Sequence, residues 1–133
     1  MNLFNIGEAA KRSGIHIKMI RYYEEQCLLT KIKRTQAGYR LYDEVDVRNL
    51  LFIKRARELG FSIAEIKKLL DLWKNKKRSS ADVKKISEQH IKDLKYKIAE
   101  LNTMIHALEH LVSCCQGDER PECPILEGIS LGK

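Results

Sequence analysis

Apolar positions along this chain follow two different rules. From Ile91 onward, Ile91, Leu94, Ile98, Leu101, Ile105, Leu108 and Val112 are separated by alternating steps of three and four. That heptad stripe predicts one long helix from about Ser80 to Ser113. At 1.5 Å per residue it would be about 50 Å long. A small domain cannot cover such a stripe, so a helix from a second subunit is the simplest partner, with packing inside the chain as the alternative. Before residue 79 the elements are shorter. Asn5 followed by Glu8 is a capping-box-like start for a helix to about Arg12, and Ser13-Gly14 breaks it. A second helix is predicted from about His16 to Gln26. Ala10, Gly14 and Ile20 supply a small residue at the crossing, a turn glycine and a buried anchor, the pattern of a helix-turn-helix. Two β-prone stretches around Ala37-Gly38 predict a small hairpin, or wing, over Lys31 to Tyr42. Asp43 caps a third helix to about Leu59, which Gly60 ends. Ser62 with Glu65 opens a fourth, to about Trp73. Asn75 to Arg78 is a basic break. After Ser113 the pattern collapses into a loop, with one further helical turn expected at Ile125-Leu126-Glu127.

Composition narrows the class. The chain has 133 residues, 32% of them charged, and a net charge of +7. No apolar run approaches the roughly 20 residues of a membrane span. The N-terminus lacks the basic start and apolar stretch of a secretory signal, so a cytoplasmic location is expected and no membrane partner is. Residues 1–78 carry 18 Lys and Arg against 9 Asp and Glu, whereas residues 79–133 carry 7 against 9. A basic front and a mildly acidic back suggest that the front meets a polyanion. No nucleophile–base constellation, phosphate-binding glycine loop or HExxH string is present, so no catalytic residues and no enzyme are expected.

The candidate chemistry lies in two places. On the second helix, Lys18, Arg21 and Tyr22 fall away from Ile17 and Ile20, and a recognition helix needs long donors on its outer face. Arg34, Tyr39 and Arg40 crowd the wing and would grip flanking phosphates, with Arg57 as a further phosphate contact. Tyr23, beside the core face, is expected to pack. The second place is the loop. Three of the four cysteines, Cys114, Cys115 and Cys123, lie within ten residues. Cys115 and Cys123 are two thiols with no obvious third donor, which suits a soft monovalent ion such as Cu(I), Ag(I) or Au(I) in linear geometry. If Cys114 joins, with a histidine such as His110, a tetrahedral Zn(II) site is the alternative. The other histidines, His16, His90 and His106, are expected on helix surfaces or at a dimer seam.

The strings Ile20-Arg21-Tyr22-Tyr23-Glu24, Gly38-Tyr39-Arg40-Leu41-Tyr42 and Arg57-Glu58-Leu59-Gly60-Phe61-Ser62 resemble the DNA-binding region of MerR-family transcriptional regulators. The loop, ending Asp118-Glu119-Arg120-Pro121-Glu122-Cys123-Pro124-Ile125-Leu126, resembles that of copper-efflux regulators of the CueR type. The resemblance implies a mainly α fold in three parts. These are a winged helix-turn-helix DNA-binding domain over residues 1–78, a dimerisation helix over 79–113 forming an antiparallel coiled coil, and a metal-binding loop and tail over 114–133. It implies a homodimer on double-stranded promoter DNA whose polymerase-recognition elements are badly spaced. When the effector binds, the dimer deforms that spacer so that RNA polymerase engages, an indirect use of DNA shape. Relatives that sense divalent ions place a cysteine at the start of the long helix; here Ser80 stands there, and a hydroxyl is a poor soft-metal ligand. Two positions depart from the family pattern. Cys27 replaces a glycine at a turn that favours positive φ, and His16 replaces a Ser or Thr helix cap.

Overall fold

The computed structural model describes residues 2–29, 32–117, 119 and 121–131. Lys31 of the expected wing, Asp118 and Arg120 of the loop, and the tail beyond residue 131 lie outside the described residues. The chain forms two compact units, Met1–Ile86 and Ser87–Lys133. The six helices and two strands described are α1 Ile6–Ser13, α2 Ile17–Glu25, β1 Lys33–Arg34, β2 Arg40–Leu41, α3 Glu44–Glu58, α4 Ile63–Lys74, α5 Ser80–Ser113 and α6 Pro124–Ser130. No helix among them is long and apolar enough to cross a membrane.

Local chemistry accounts for these boundaries. Asn5 accepts a hydrogen bond from the Glu8 N–H at 2.9 Å, starting α1. The box is only half made, because Arg12 Nε donates to the Glu8 carboxylate at 3.1 Å. Gly14 ends α1 at φ 70°, and its N–H donates to the Ala10 carbonyl. The turn needs glycine for its positive φ, since the one atom near an added Cβ, Lys54 Nζ at 2.8 Å, ends a flexible side chain that can move aside. His16 proves to be a working cap: its Nδ1 accepts from the Lys18 N–H at 3.2 Å. Any helix cap needs only a well-placed acceptor, and a neutral imidazole nitrogen supplies one. Asp43 with Asp46 and Ser62 with Glu65 form complete capping boxes on α3 and α4.

The first unit is built on α1 to α4. Ile20, Tyr42, Leu50, Ile53, Ile66 and Leu70 are at most 2% exposed. Val83 and Ile86, on the first turns of α5, pack against the same cluster. Strands β1 and β2 pair antiparallel, Lys33 with Leu41 and Arg34 with Arg40. Their turn closes through Gly38 at φ 88°. Tyr42 then bridges to Phe4, exchanging both backbone hydrogen bonds at 2.8 Å. This ties the wing to the start of the chain.

In the second unit, the apolar stripe of α5 lies bare along a single chain. Its seven members are between 37% and 58% exposed. His90, expected on the surface or at a seam, is buried instead. The single turn expected at residues 125–127 is a seven-residue helix, α6. Pro124 suits its first turn, where the missing N–H has no partner to lose. Gly128 is a poor helix former, and a Cβ there would strike the Leu111 side chain of α5.

Candidate functional site

The outer face of α2 is formed as its periodicity requires. Ile20 and Tyr23 turn inward, at 0% and 5% exposure, so Lys18, Arg21 and Tyr22 face solvent one helical turn apart. Neither Lys18 nor Arg21 makes an ion pair with the described residues. Tyr22 leans on Tyr23, with ring centroids 5.9 Å apart, leaving its own face open. Tyr39 at the wing is 73% exposed.

The arginines of the wing are held differently. Arg40 Nε donates to Glu24 Oε2 at 2.6 Å, and Arg34 stands 3.9 Å from Glu24 Oε1. Arg34 also donates to the Gly38 carbonyl at 2.9 Å. Glu24, the last acid of the Arg-Tyr-Tyr-Glu string, therefore fastens the wing to the recognition helix. Sequence reasoning missed it; its signal was an acid on an otherwise basic face. Arg40, expected to grip flanking phosphates, commits its Nε to Glu24 and keeps its side chain about one-third exposed. Arg57 likewise donates to the Phe61 carbonyl at 3.2 Å, closing the turn after α3. Fully buried beside the brace is Tyr42, whose hydroxyl finds no hydrogen-bond partner among the described residues. Its pKa is pushed up to about 12, first by burial and then by the Glu24 carboxylate, against the pull of Arg40.

The cysteine loop joins two helix ends. Cys114 and Cys115 follow the last turn of α5, their N–H groups still donating to His110, Leu111 and Val112 carbonyls. Cys123 is the residue before α6, and its carbonyl accepts from the Glu127 N–H at 3.1 Å. A cavity of about 300 Å³ is lined by these three cysteines with Gln116, Gly117, Glu122 and Pro124. Gly117, at φ 65°, lets the chain fold back. Cys115 and Cys123 are half-buried and Cys114 is exposed; all are free thiols. Such a donor set, sulfur in a small cavity, fits a soft ion. His110 is not among the lining residues. No group of three or more His, Cys, Asp or Glu side chains among the described residues is gathered tightly enough to hold an ion. Ser80 opens α5 with an exposed side chain. The fourth cysteine, Cys27, sits at φ 61°, the left-handed turn that its position after α2 foretold.

A helix pair with an exposed basic recognition face, a braced wing and a long exposed stripe defines a winged helix-turn-helix DNA-binding protein. Residues 4–73 match the MerR HTH family of regulatory proteins, and residues 47–111 match its companion description, MerR, DNA binding. Heavy metal-dependent transcription regulator 2 of Rhizobium meliloti is 50% identical over 128 residues, covering 96% of this chain and 87% of that one. The HTH-type transcriptional regulator CueR of Salmonella typhimurium is 36% identical over 126 residues, 95% and 91% of the two chains. Among solved structures, the transcription regulator PbrR691 from Ralstonia metallidurans, in complex with lead(II), superposes with a TM-score of 0.85. It is 31% identical, over 95% of this chain and 98% of that one. This chain belongs to the MerR family of helix-turn-helix transcriptional regulators, which are DNA-binding proteins and not enzymes.

Proposed function

We propose that this protein is a metal-responsive regulator that binds promoter DNA as a homodimer and activates efflux or detoxification genes when its loop holds Cu(I), with Ag(I) and Au(I) as chemical equivalents. The observation that carries this reading is the pair Cys115 and Cys123, half-buried, facing one small cavity between the end of α5 and the start of α6. Two thiolates satisfy a linear monovalent ion, whereas a divalent ion asks for further donors. Ser80, where divalent-sensing relatives carry a cysteine, offers only a hydroxyl. The similarity to a heavy metal-dependent regulator supports a metal effector, and the CueR-like loop favours copper.

On the DNA side, Lys18, Arg21 and Tyr22 would enter the major groove, and Tyr39 with Arg34 would reach the flanking backbone. Arg40 and Arg57 serve chiefly to hold the wing and the α3–α4 turn in position. The exposed stripe of α5 fits an antiparallel coiled coil with a second copy. Residues 1–78, 79–113 and 114–133 thus divide into reader, coupler and sensor. For the loop to govern transcription, its metal-bound form must favour one promoter-bound arrangement of the dimer over another, and RNA polymerase would engage that one.

The test is anaerobic titration of the reduced protein with Cu(I), with X-ray absorption and an operator-binding assay. Two sulfur neighbours per ion are expected, and Cys115→Ser or Cys123→Ser should abolish metal-induced transcription while sparing operator binding. Four mixed nitrogen and sulfur neighbours, with preference for Zn(II), would replace this reading with a divalent site that includes Cys114.

A further inference from the structure

Cys114 has no part in the two-sulfur site, yet it lines the same cavity. It differs from the pair in one respect: it is exposed where Cys115 and Cys123 are half-buried. Its N–H donates to the His110 and Leu111 carbonyls at 3.3 Å, so the last turn of α5 fixes it beside Cys115. On the linear two-sulfur reading, Cys114 is the thiol left over once Cys115 and Cys123 have taken the ion. An exposed thiol beside a more sheltered pair that lines the same cavity has the geometry of an entry point.

Soft-ion chemistry gives that geometry a use. A monovalent coinage ion travels on sulfur rather than as a free hydrated ion, because thiolates hold it far better than water does. It changes hands when an incoming sulfur bonds before an outgoing one leaves, and exchange of this kind depends on access to the attacking thiolate. A half-buried thiol is a poor first attacker on an ion still carried by a bulky donor.

We propose that Cys114 is the entry thiol of the loop, receiving Cu(I) from a low-molecular-weight thiol and handing it to Cys115 and Cys123; this rests on the Cu(I) reading above. Cys114 gives up its proton and its sulfur bonds to the incoming ion, displacing one donor thiolate. Cys115 and Cys123 then lose their protons in turn, and their sulfurs displace the second donor and Cys114. Cys114 takes a proton back, and both donors leave as thiols. Copper remains +1 throughout, and no electron is transferred.

The test uses the full-length reduced protein, with Cu(I)–glutathione as the probe. Uptake is followed by stopped-flow absorption, affinity by competition with a chromophoric Cu(I) chelator, and release by a chase with excess glutathione, the reverse of the uptake reaction. An entry thiol lowers a barrier without altering either end state. Cys114→Ser and Cys114→Ala should therefore slow uptake and release by the same factor, about tenfold, and leave affinity within about twofold. The sulfur count by X-ray absorption should stay at two in both variants. Unchanged rates in a variant that still binds Cu(I) would overturn the entry role. So would lost affinity with faster release, which would mark Cys114 as a standing ligand. Failure of the wild-type protein to take Cu(I) at all would instead bring down the Cu(I) reading, and the entry role with it.

Discussion

Gly128 is where α6 meets α5, and Gly128→Ala tests whether that contact positions the sensor loop. A Cβ at this position would overlap Leu111 Cδ2 and come within 3.3 Å of Leu111 Cδ1 and Cγ. Flipping the leucine's outer torsion moves the methyls but leaves Cγ crowded, so either its inner torsion or α6 itself must shift. Overpacking of this kind costs about 1–3 kcal/mol. Alanine in place of glycine inside a helix returns about 1 kcal/mol. The net penalty on the docked form of α6 is then about 0–2 kcal/mol, or up to about thirtyfold in its opening equilibrium. Amide hydrogen exchange reads this without any metal, through the Glu127 and Leu131 N–H groups, which are bonded to the Cys123 and Glu127 carbonyls. Both should exchange faster in Gly128→Ala, and Cu(I) affinity should fall because Cys123 moves with the head of α6. Leu111→Ala removes the obstacle, so the double variant should be less perturbed than the two single changes added together. Strict additivity would refute the steric account.

Three other substitutions probe the first unit. Cys27→Gly relieves a left-handed turn that costs a non-glycine residue about 1 kcal/mol or more, partly offset by glycine's freer unfolded chain. A net gain of about 0.5–1 kcal/mol, raising the melting temperature by about 2–6 °C, should follow, with operator binding and metal response intact. Glu24→Gln removes the charge that fastens the wing, and should weaken operator affinity by about 1 kcal/mol. Its salt dependence should be unchanged, because no phosphate-contacting cation is lost. Burial, reinforced by the nearby Asp43 charge, raises the pKa of Asp46, although the Asp43 N–H hydrogen bond opposes the shift. The folded state therefore holds that proton more tightly than the unfolded one. Stability should fall as pH climbs from the ordinary carboxylate range through the raised value, and urea titrations of Asp46→Asn should lose that part of the slope.

Much of this architecture was legible because local chemistry and tertiary packing agree. The limits of α5 followed from a stripe that repeats without interruption, and the turn at Cys27 from the φ that the end of α2 demands. His16 departs from the usual Ser or Thr at a cap yet serves as one, because the turn needs only an acceptor within reach. The engagement of Arg40 and Arg57 was hidden. Sequence shows that an arginine is present but not whether a carboxylate or carbonyl sixteen or four residues away has already claimed it. The full length of α6 was hidden because Gly128 reads as a helix breaker until Leu111 is seen to occupy the space a side chain would need.

On the proposed function, the energetic demand on a metal-driven switch explains why two loops, one from each subunit of the proposed dimer, would suit it. Moving a promoter complex from 1:99 to 99:1 requires about 5.5 kcal/mol of differential binding. Shared between two identical loops, the demand is about 2.7 kcal/mol each, comparable to what a few packing contacts between α5 and α6 can supply. A dimer with one Cys115→Ser subunit keeps only half of that energy. Its promoter complexes should then reach a ratio near 1:1, about half-maximal activation at saturating metal. Tethered heterodimers assayed by in vitro transcription measure this directly. Full activation from one intact loop would show that a single sensor already exceeds the demand, and none at all would show that the two loops act only together.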